Sequence, residues 1–182
     1  PGGDPARFGD EPVLMASASA CPVFVGRDRP AAGRALLAAH PDVDVLIADA
    51  GLQHYRLARD VEVVVVDEAT FGNRLRLPAG PLREGVGRLA EASVVLAHGS
   101  LSPTLADAIR PVPVFGFHLE GDAFERVGRR AERCLPADLQ GRRLHAMAGI
   151  GRPERFFSQL EAMGLAIQRR PFADHHAFTP DD

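Results

Sequence analysis

The sequence predicts an α/β fold with a mostly parallel sheet, and three observations lead there. The apolar runs at residues 44–48 and 61–66 are continuous, as in strands covered on both faces of a sheet. Each run ends on an aspartate, Asp49 and Asp67, at the strand ends where such sheets collect ligands. Strand-length runs then alternate with short helical patterns along the chain.

The elements follow in order. Residues 1–9, rich in Gly and Pro, read as a loop. Asp10 caps a helix over 12–19, with Pro12 in its first turn. A short strand at 22–25 ends at Gly26-Arg27-Asp28-Arg29. A helix over 31–39 turns Leu36 and Leu37 to the core, and His40-Pro41 stops it. The strands at 44–48 and 61–66 flank a polar turn, Gly51-Leu52-Gln53-His54-Tyr55-Arg56. Residues 69–84 hold turn formers and arginines without a sustained period, so a functional loop is expected. A short helix at 87–92, a strand at 93–97, a helix at 102–109 and a strand at 112–118 complete a first region, 1–118. Residues 119–142 are ambiguous, an extended stretch leading into a smaller C-terminal α/β subdomain, 119–182. There a strand at 143–148 passes through Gly149-Ile150-Gly151 into a helix begun by Pro153 and closed by Gly164, and a strand follows at 165–169. The pattern opens on a helix and ends on a polar tail, which reads as a piece of a larger chain.

Composition excludes several functions. At 182 residues, with 46% apolar and 25% charged residues, the chain suits one domain with a core or two small ones. A net charge of -3 gives no pull toward nucleic acid or anionic lipid. No apolar run approaches the ~20 residues of a bilayer span, and no signal-peptide pattern opens the sequence. Cys21 and Cys134 read as free buried thiols of a reducing compartment. All 21 basic residues are arginine. These residues therefore contain neither the Gly-Lys-Ser/Thr of a Walker A loop nor a Schiff-base lysine.

Several groups can carry chemistry. Asp49 can hold a hydrated Mg²⁺ beside a phosphate, or cap a turn; Asp67 reads more readily as a cap. Gln53 can orient a metal-bound water and His54 can donate to phosphate, though both also suit a solvent-facing turn. Arg27, Arg29, Arg74, Arg76 and Arg83 sit in loops after strands, where forked guanidinium groups recognise phosphate and where ordinary surface charges also occur. In the tail Asp174-His175-His176, a carboxylate can fix the tautomer of a neighbouring imidazole. Adjacent side chains of an extended chain diverge, so one of the two histidines serves a site. Gly149-Ile150-Gly151 is half a dinucleotide fingerprint, with Glu154 where a third glycine belongs; an anion at the helix N-terminus suits it better.

Taken together, these blocks resemble the tetraacyldisaccharide 4'-kinase family of lipid A biosynthesis. The resemblance rests on Gly9-Asp10-Glu11-Pro12, Val25-Gly26-Arg27-Asp28-Arg29, Asp49-Ala50-Gly51-Leu52-Gln53-His54-Tyr55-Arg56-Leu57, Leu77-Pro78-Ala79-Gly80-Pro81-Leu82-Arg83-Glu84, Ala148-Gly149-Ile150-Gly151-Arg152-Pro153-Glu154-Arg155-Phe156-Phe157 and Phe172-Ala173-Asp174-His175-His176, in family order. It implies a P-loop-kinase-like fold, with ATP and Mg²⁺ phosphorylating the 4'-hydroxyl of a tetraacyldisaccharide 1-phosphate at the cytoplasmic face of the inner membrane. It implies Asp10 as the base on the sugar hydroxyl and His175 as its partner. Asp49 and Gln53 then lie near Mg²⁺, with Glu84 as a further ligand. Gln53, His54 and Arg83 face the nucleotide, and Arg27, Arg29, Arg74 and Arg76 face the lipid A precursor.

Two departures shape the expectation. The family's glycine-rich phosphate loop and its membrane-associating N-terminal segment have no counterpart in these residues. Ala50 stands where the family has the second of two aspartates. The chain is therefore expected to be an internal, partial kinase, inactive by itself, with peripheral membrane association residing in the missing segment. The alternative is a non-catalytic α/β module that binds a sugar phosphate or a partner protein through its arginines. A nicotinamide-dependent sugar-nucleotide enzyme rests on Gly149-Ile150-Gly151 alone.

Overall fold

The structure, a computed structural model, describes residues 3–179 and Asp182, apart from the side chain of Arg130. Pro1 and Gly2 of the expected N-terminal loop lie outside the described residues. The chain divides into two compact units, Pro1–His118 and Leu119–Asp182.

Three helices open the first unit: α1 (Pro5–Phe8), α2 (Asp10–Ala18) and α3 (Arg29–Ala39). Helix α1 replaces part of the expected loop, because the Asp4 carboxylate accepts from Ala6 N and Pro5 is preset for a first turn. Helix α3 is capped in the same way, by Asp28 accepting from Ala31 N at 3.0 Å.

A parallel three-stranded sheet follows, in the order β1 (Val63–Val66), β2 (Val94–His98), β3 (Val114–Phe117). Val63 pairs with Val94, and Val95 with Val114. A 3₁₀ turn, Val86–Glu91, and helix α4 (Pro103–Ala108) supply the residues that cover one face. Val66, Leu89, Ala92, Val95, Leu105 and Ile109 form the resulting core. The opposite face carries Val63, Val65 and Phe115 at 52%, 64% and 59% exposure. The expectation of a sheet covered on both faces is thus met on one face only among the described residues.

Two expected strands are absent. Residues 22–25 and 43–48 run without a strand ladder, and Ile47 is 93% exposed. A strand is created by hydrogen bonds to a neighbour, so an apolar run without one stays a loop segment. Asp49 therefore ends an irregular segment, whereas Asp67 follows a true strand and caps the next turn by accepting from Ala69 N.

The second unit holds an antiparallel hairpin, β4 (Phe124–Arg126) with β5 (Arg129–Cys134), which resolves the ambiguous stretch. After the short helix α5 (Pro136–Leu139) comes β6 (Leu144–Ala148), then α6 (Pro153–Ala162), then β7 (Ile167–Pro171), parallel to β6. Phe157 is wholly buried against Ala146, Ala148, Leu160 and Leu165. Truncating such a phenylalanine costs about 3–5 kcal/mol. Arg169 on β7 pairs with Glu161 and Glu154 of α6, and its guanidinium lies 5.8 Å from the Phe157 ring centre. Both cysteines are free, but Cys21 is exposed and Cys134 half-buried, so neither is the buried thiol expected.

Candidate active site

The site grows from the turn after residue 48. Ala50 takes a left-handed conformation, φ 50°, and Gly51 follows. His54 N donates to Gly51 O at 2.9 Å and Leu57 N to His54 O at 2.9 Å, which winds residues 51–57 into a compact knot. The Arg59 guanidinium braces it by donating to the carbonyls of Gly51 and Leu52, at 3.3 and 3.1 Å.

This knot meets Glu84. Gln53 Nε2 donates to Glu84 Oε1 at 2.9 Å, and the Tyr55 hydroxyl donates to Glu84 Oε2 at 2.6 Å. Arg88 Nε stands 3.5 Å from the same Oε2. These donors hold the Glu84 carboxyl below its ordinary 4.5, Tyr55 contributing most and Gln53 next. The same bond pushes the Tyr55 hydroxyl above its ordinary 10.0. Behind them Glu62 Oε1 accepts from Arg59 Nη1 at 2.6 Å and from Arg88 Nη2 at 2.7 Å. Arg88 Nη1 is buried without a hydrogen bond, reaching Glu91 only at an ion-pair distance of 3.5 Å.

Glu84 is delivered by the loop between β1 and β2. Leu77 N donates to Leu82 O and Leu82 N to Leu75 O, at 2.8 and 3.1 Å, and the Asn73 side chain donates to Ala79 O at 2.8 Å. Only glycine fits at position 80: a Cβ there would stand 2.1 Å from Asn73 Oδ1 and 2.4 Å from Leu75 O. Arg74, at φ 61°, pairs with Glu68, whose carboxylate also accepts from the Ser102 amide and hydroxyl at the start of α4. Arg76 and Arg83 are exposed.

A second feature involves His54 of the knot. His54, Arg27, Arg29 and Arg7 line a hollow of about 400 Å³ together with Phe8, Val25 and Gly26. Arg56 Nη2, 3.5 Å from Asp28 Oδ2, ties the knot to the segment that carries Arg27 and Arg29. Four basic side chains around one hollow suit an anion.

The sequence-derived candidates thus fall into groups. The structure joins Gln53 to Glu84, and it joins His54 to Arg27 and Arg29. Asp10 opens α2, its Oδ1 accepting from Glu11 N at 3.0 Å. Asp49 is exposed. Tyr55, Arg59, Glu62, Arg88 and Arg7 were missed; the spacings Arg59 to Glu62 and Glu84 to Arg88 could have flagged ion pairs.

In the second unit the structure separates the two tail histidines. His176 is half-buried, stacked on Phe172 at 4.6 Å with Phe178 edge-on at 5.0 Å. Its Nε2 lies 3.3 Å from Asp182 Oδ2. His175 is exposed and left-handed, φ 56°, with its amide donating to Gly149 O at 3.1 Å. A Cβ on Gly149 would stand 3.1 Å from Ala173 O and 3.2 Å from His176 Cβ. The tail therefore occupies the space that glycine leaves.

Gln53 spends its Nε2 on Glu84, which leaves the Gln53 amide oxygen and the second lone pair of Glu84 Oε1 as hard ligands that fit Mg²⁺. Among the described residues no three His, Cys, Asp or Glu side chains gather as a metal cage.

The family model described as tetraacyldisaccharide-1-P 4'-kinase matches residues 1–182. The chain belongs to this family. Proteins named tetraacyldisaccharide 4'-kinase from Aromatoleum aromaticum and an Azoarcus species are 59% and 56% identical to it, over 100% and 99% of its length. The chain spans about half the length of these relatives, 54% and 52%. A crystal structure of LpxK from Aquifex aeolicus in complex with ATP superposes with a TM-score of 0.70 at 25% identity, covering 94% of this chain and 55% of that one. The P-loop-kinase-like α/β class expected from the sequence is therefore the observed one. Among the described residues no helix is long and apolar enough to cross a membrane.

Proposed function

We propose that the chain supplies the cation and acceptor side of a kinase that transfers phosphate from ATP to the 4'-hydroxyl of a tetraacyldisaccharide 1-phosphate. The observation that supports it most is the Gln53–Glu84 pair, 2.9 Å apart in a chain of this family. Bound there, Mg²⁺ neutralises charge on the phosphates. Glu84 and Gln53 offer it oxygen ligands, with Asp49 a further carboxylate on the same turn. Arg83, next to Glu84, faces the nucleotide phosphates.

The basic hollow holds the anionic part of the lipid A precursor through Arg27 and Arg29, with His54 donating and Arg7 adding charge. Arg74 and Arg76 extend that role along the loop to Glu84. The Asp10 carboxylate takes the proton of the attacking hydroxyl. His175, displayed by a left-handed turn, serves the reaction, and His176 supports the tail. Residues 1–118 form the kinase core and 119–182 a C-terminal subdomain, acting peripherally at the cytoplasmic face of the inner membrane.

The test is a chimera in which this chain replaces the matching part of the Aromatoleum aromaticum relative. The expected result is transfer of labelled phosphate from ATP to the tetraacyldisaccharide 1-phosphate. A folded chimera that transfers none, beside an active parent, refutes the proposal.

A further inference from the structure

Glu84 carries more hydrogen-bonding partners than a ligand needs. Its two oxygens are treated differently. Oε1 accepts from the Gln53 amide at 2.9 Å. Oε2 takes the Tyr55 hydroxyl at 2.6 Å and stands 3.5 Å from Arg88 Nε. Arg88 is only 14% exposed and is fixed by Glu62, which also fixes Arg59. Arg59 in turn braces the carbonyls of Gly51 and Leu52 and lies 5.8 Å from the Tyr55 ring centre. One carboxylate, Glu62, therefore sets both the turn that carries Gln53 and the residue behind Glu84.

We infer that Tyr55 and Arg88 are positioning residues for the cation: they hold Glu84 Oε2 and so present to the ion the lone pair of Oε1 that the Gln53 amide does not take. This rests on the reading of Glu84 as a cation ligand. Metal ligands whose far atoms are held by hydrogen bonds lose roughly tenfold or more in affinity when that support is removed. Tyr55→Phe removes one hydroxyl and keeps the ring. Arg88→Lys keeps the charge opposite Glu62 but loses the fork that reaches Glu84 and Glu62 together.

The experiment titrates Mn²⁺ into the 182-residue chain, following free ion by electron paramagnetic resonance. Thermal unfolding of each variant without metal runs alongside. Tyr55→Phe and Arg88→Lys are each expected to weaken Mn²⁺ binding roughly tenfold. Tyr55→Phe is expected to do so while still unfolding cooperatively, a loss of affinity that a hydroxyl supporting stability alone would not produce. Glu84→Gln that weakens binding while the other two variants leave it unchanged overturns the inference and keeps the ligand reading. Binding that Glu84→Gln leaves unchanged, or no binding by the wild-type chain, overturns both.

Discussion

Gln53 Nε2 and Glu84 Oε1 stand 2.9 Å apart although 31 residues separate them in sequence. One sits in the knot after residue 50, the other at the end of the loop between β1 and β2. The donors around Glu84 hold its carboxyl below 4.5, Tyr55 foremost. A depressed native value means the unfolded chain binds more protons in acid, so the stabilisation is present above 4.5 and lost as pH falls through the lower native value. Denaturant unfolding of wild type and Glu84→Gln should differ by a constant amount above pH 4.5 and converge below it. A gap that widens in acid would contradict the arrangement.

Tyr55 is the single tyrosine, and the chain has no tryptophan, so its absorbance reports one hydroxyl. Its bond to Glu84 raises that hydroxyl above 10.0. A raised native value means that the contribution to stability is complete below 10.0 and disappears as pH rises through the native value. Spectrophotometric titration should place the midpoint above 10.0 in the wild type and closer to 10.0 in Glu84→Gln.

Much of the fold was legible in the residues. Strands β2 and β6 and helices α3 and α6 were expected from apolar runs and, for α6, from Pro153 at the helix start. The segments at 22–25 and 44–48 misled because apolar content shows that a residue can enter a sheet, not that a neighbour is there to pair with it. In the site, Gln53 was named from the chemistry of its polar turn and Glu84 from the family resemblance, while Tyr55, Arg59, Glu62 and Arg88 were not. The Arg59–Glu62 and Glu84–Arg88 spacings are local, but the contacts of Tyr55 with Glu84 and of Arg88 with Glu62 span 29 and 26 residues, which no local pattern carries.

Gly80 anchors the loop that delivers Glu84. With a Cβ 2.1 Å from Asn73 Oδ1, Gly80→Ala must displace the loop. The expected cost is about 1–3 kcal/mol, read by denaturant unfolding. Mn²⁺ affinity should fall with it. An alanine tolerated at no cost would show that the loop is looser than described.

Ala50 holds a left-handed backbone that L-residues resist. Ala50→Gly should stabilise by roughly 0.5–1 kcal/mol once the extra freedom of glycine in the unfolded chain is offset. Ala50→Asp tolerates the same conformation and adds a second carboxylate beside Asp49, so tighter Mn²⁺ binding is expected. Unchanged affinity would show that position 50 points away from the ion.

The tail histidines should part company. His176→Ala removes a ring stacked on Phe172 and should cost about 0.5–1.5 kcal/mol of stability. His175→Ala should leave the unfolding midpoint nearly unchanged while lowering phosphate transfer by the chimera with the Aromatoleum aromaticum relative. The reverse pattern would exchange their roles.

The most direct test of the central claim is the Mg²⁺ concentration that gives half-maximal phosphate transfer by that chimera, with Gln53→Ala and Glu84→Gln beside it. Both variants should demand roughly tenfold or more additional Mg²⁺ while remaining folded. Variants that transfer phosphate at the Mg²⁺ level of the unaltered chimera would contradict the assignment of Gln53 and Glu84 to the cation.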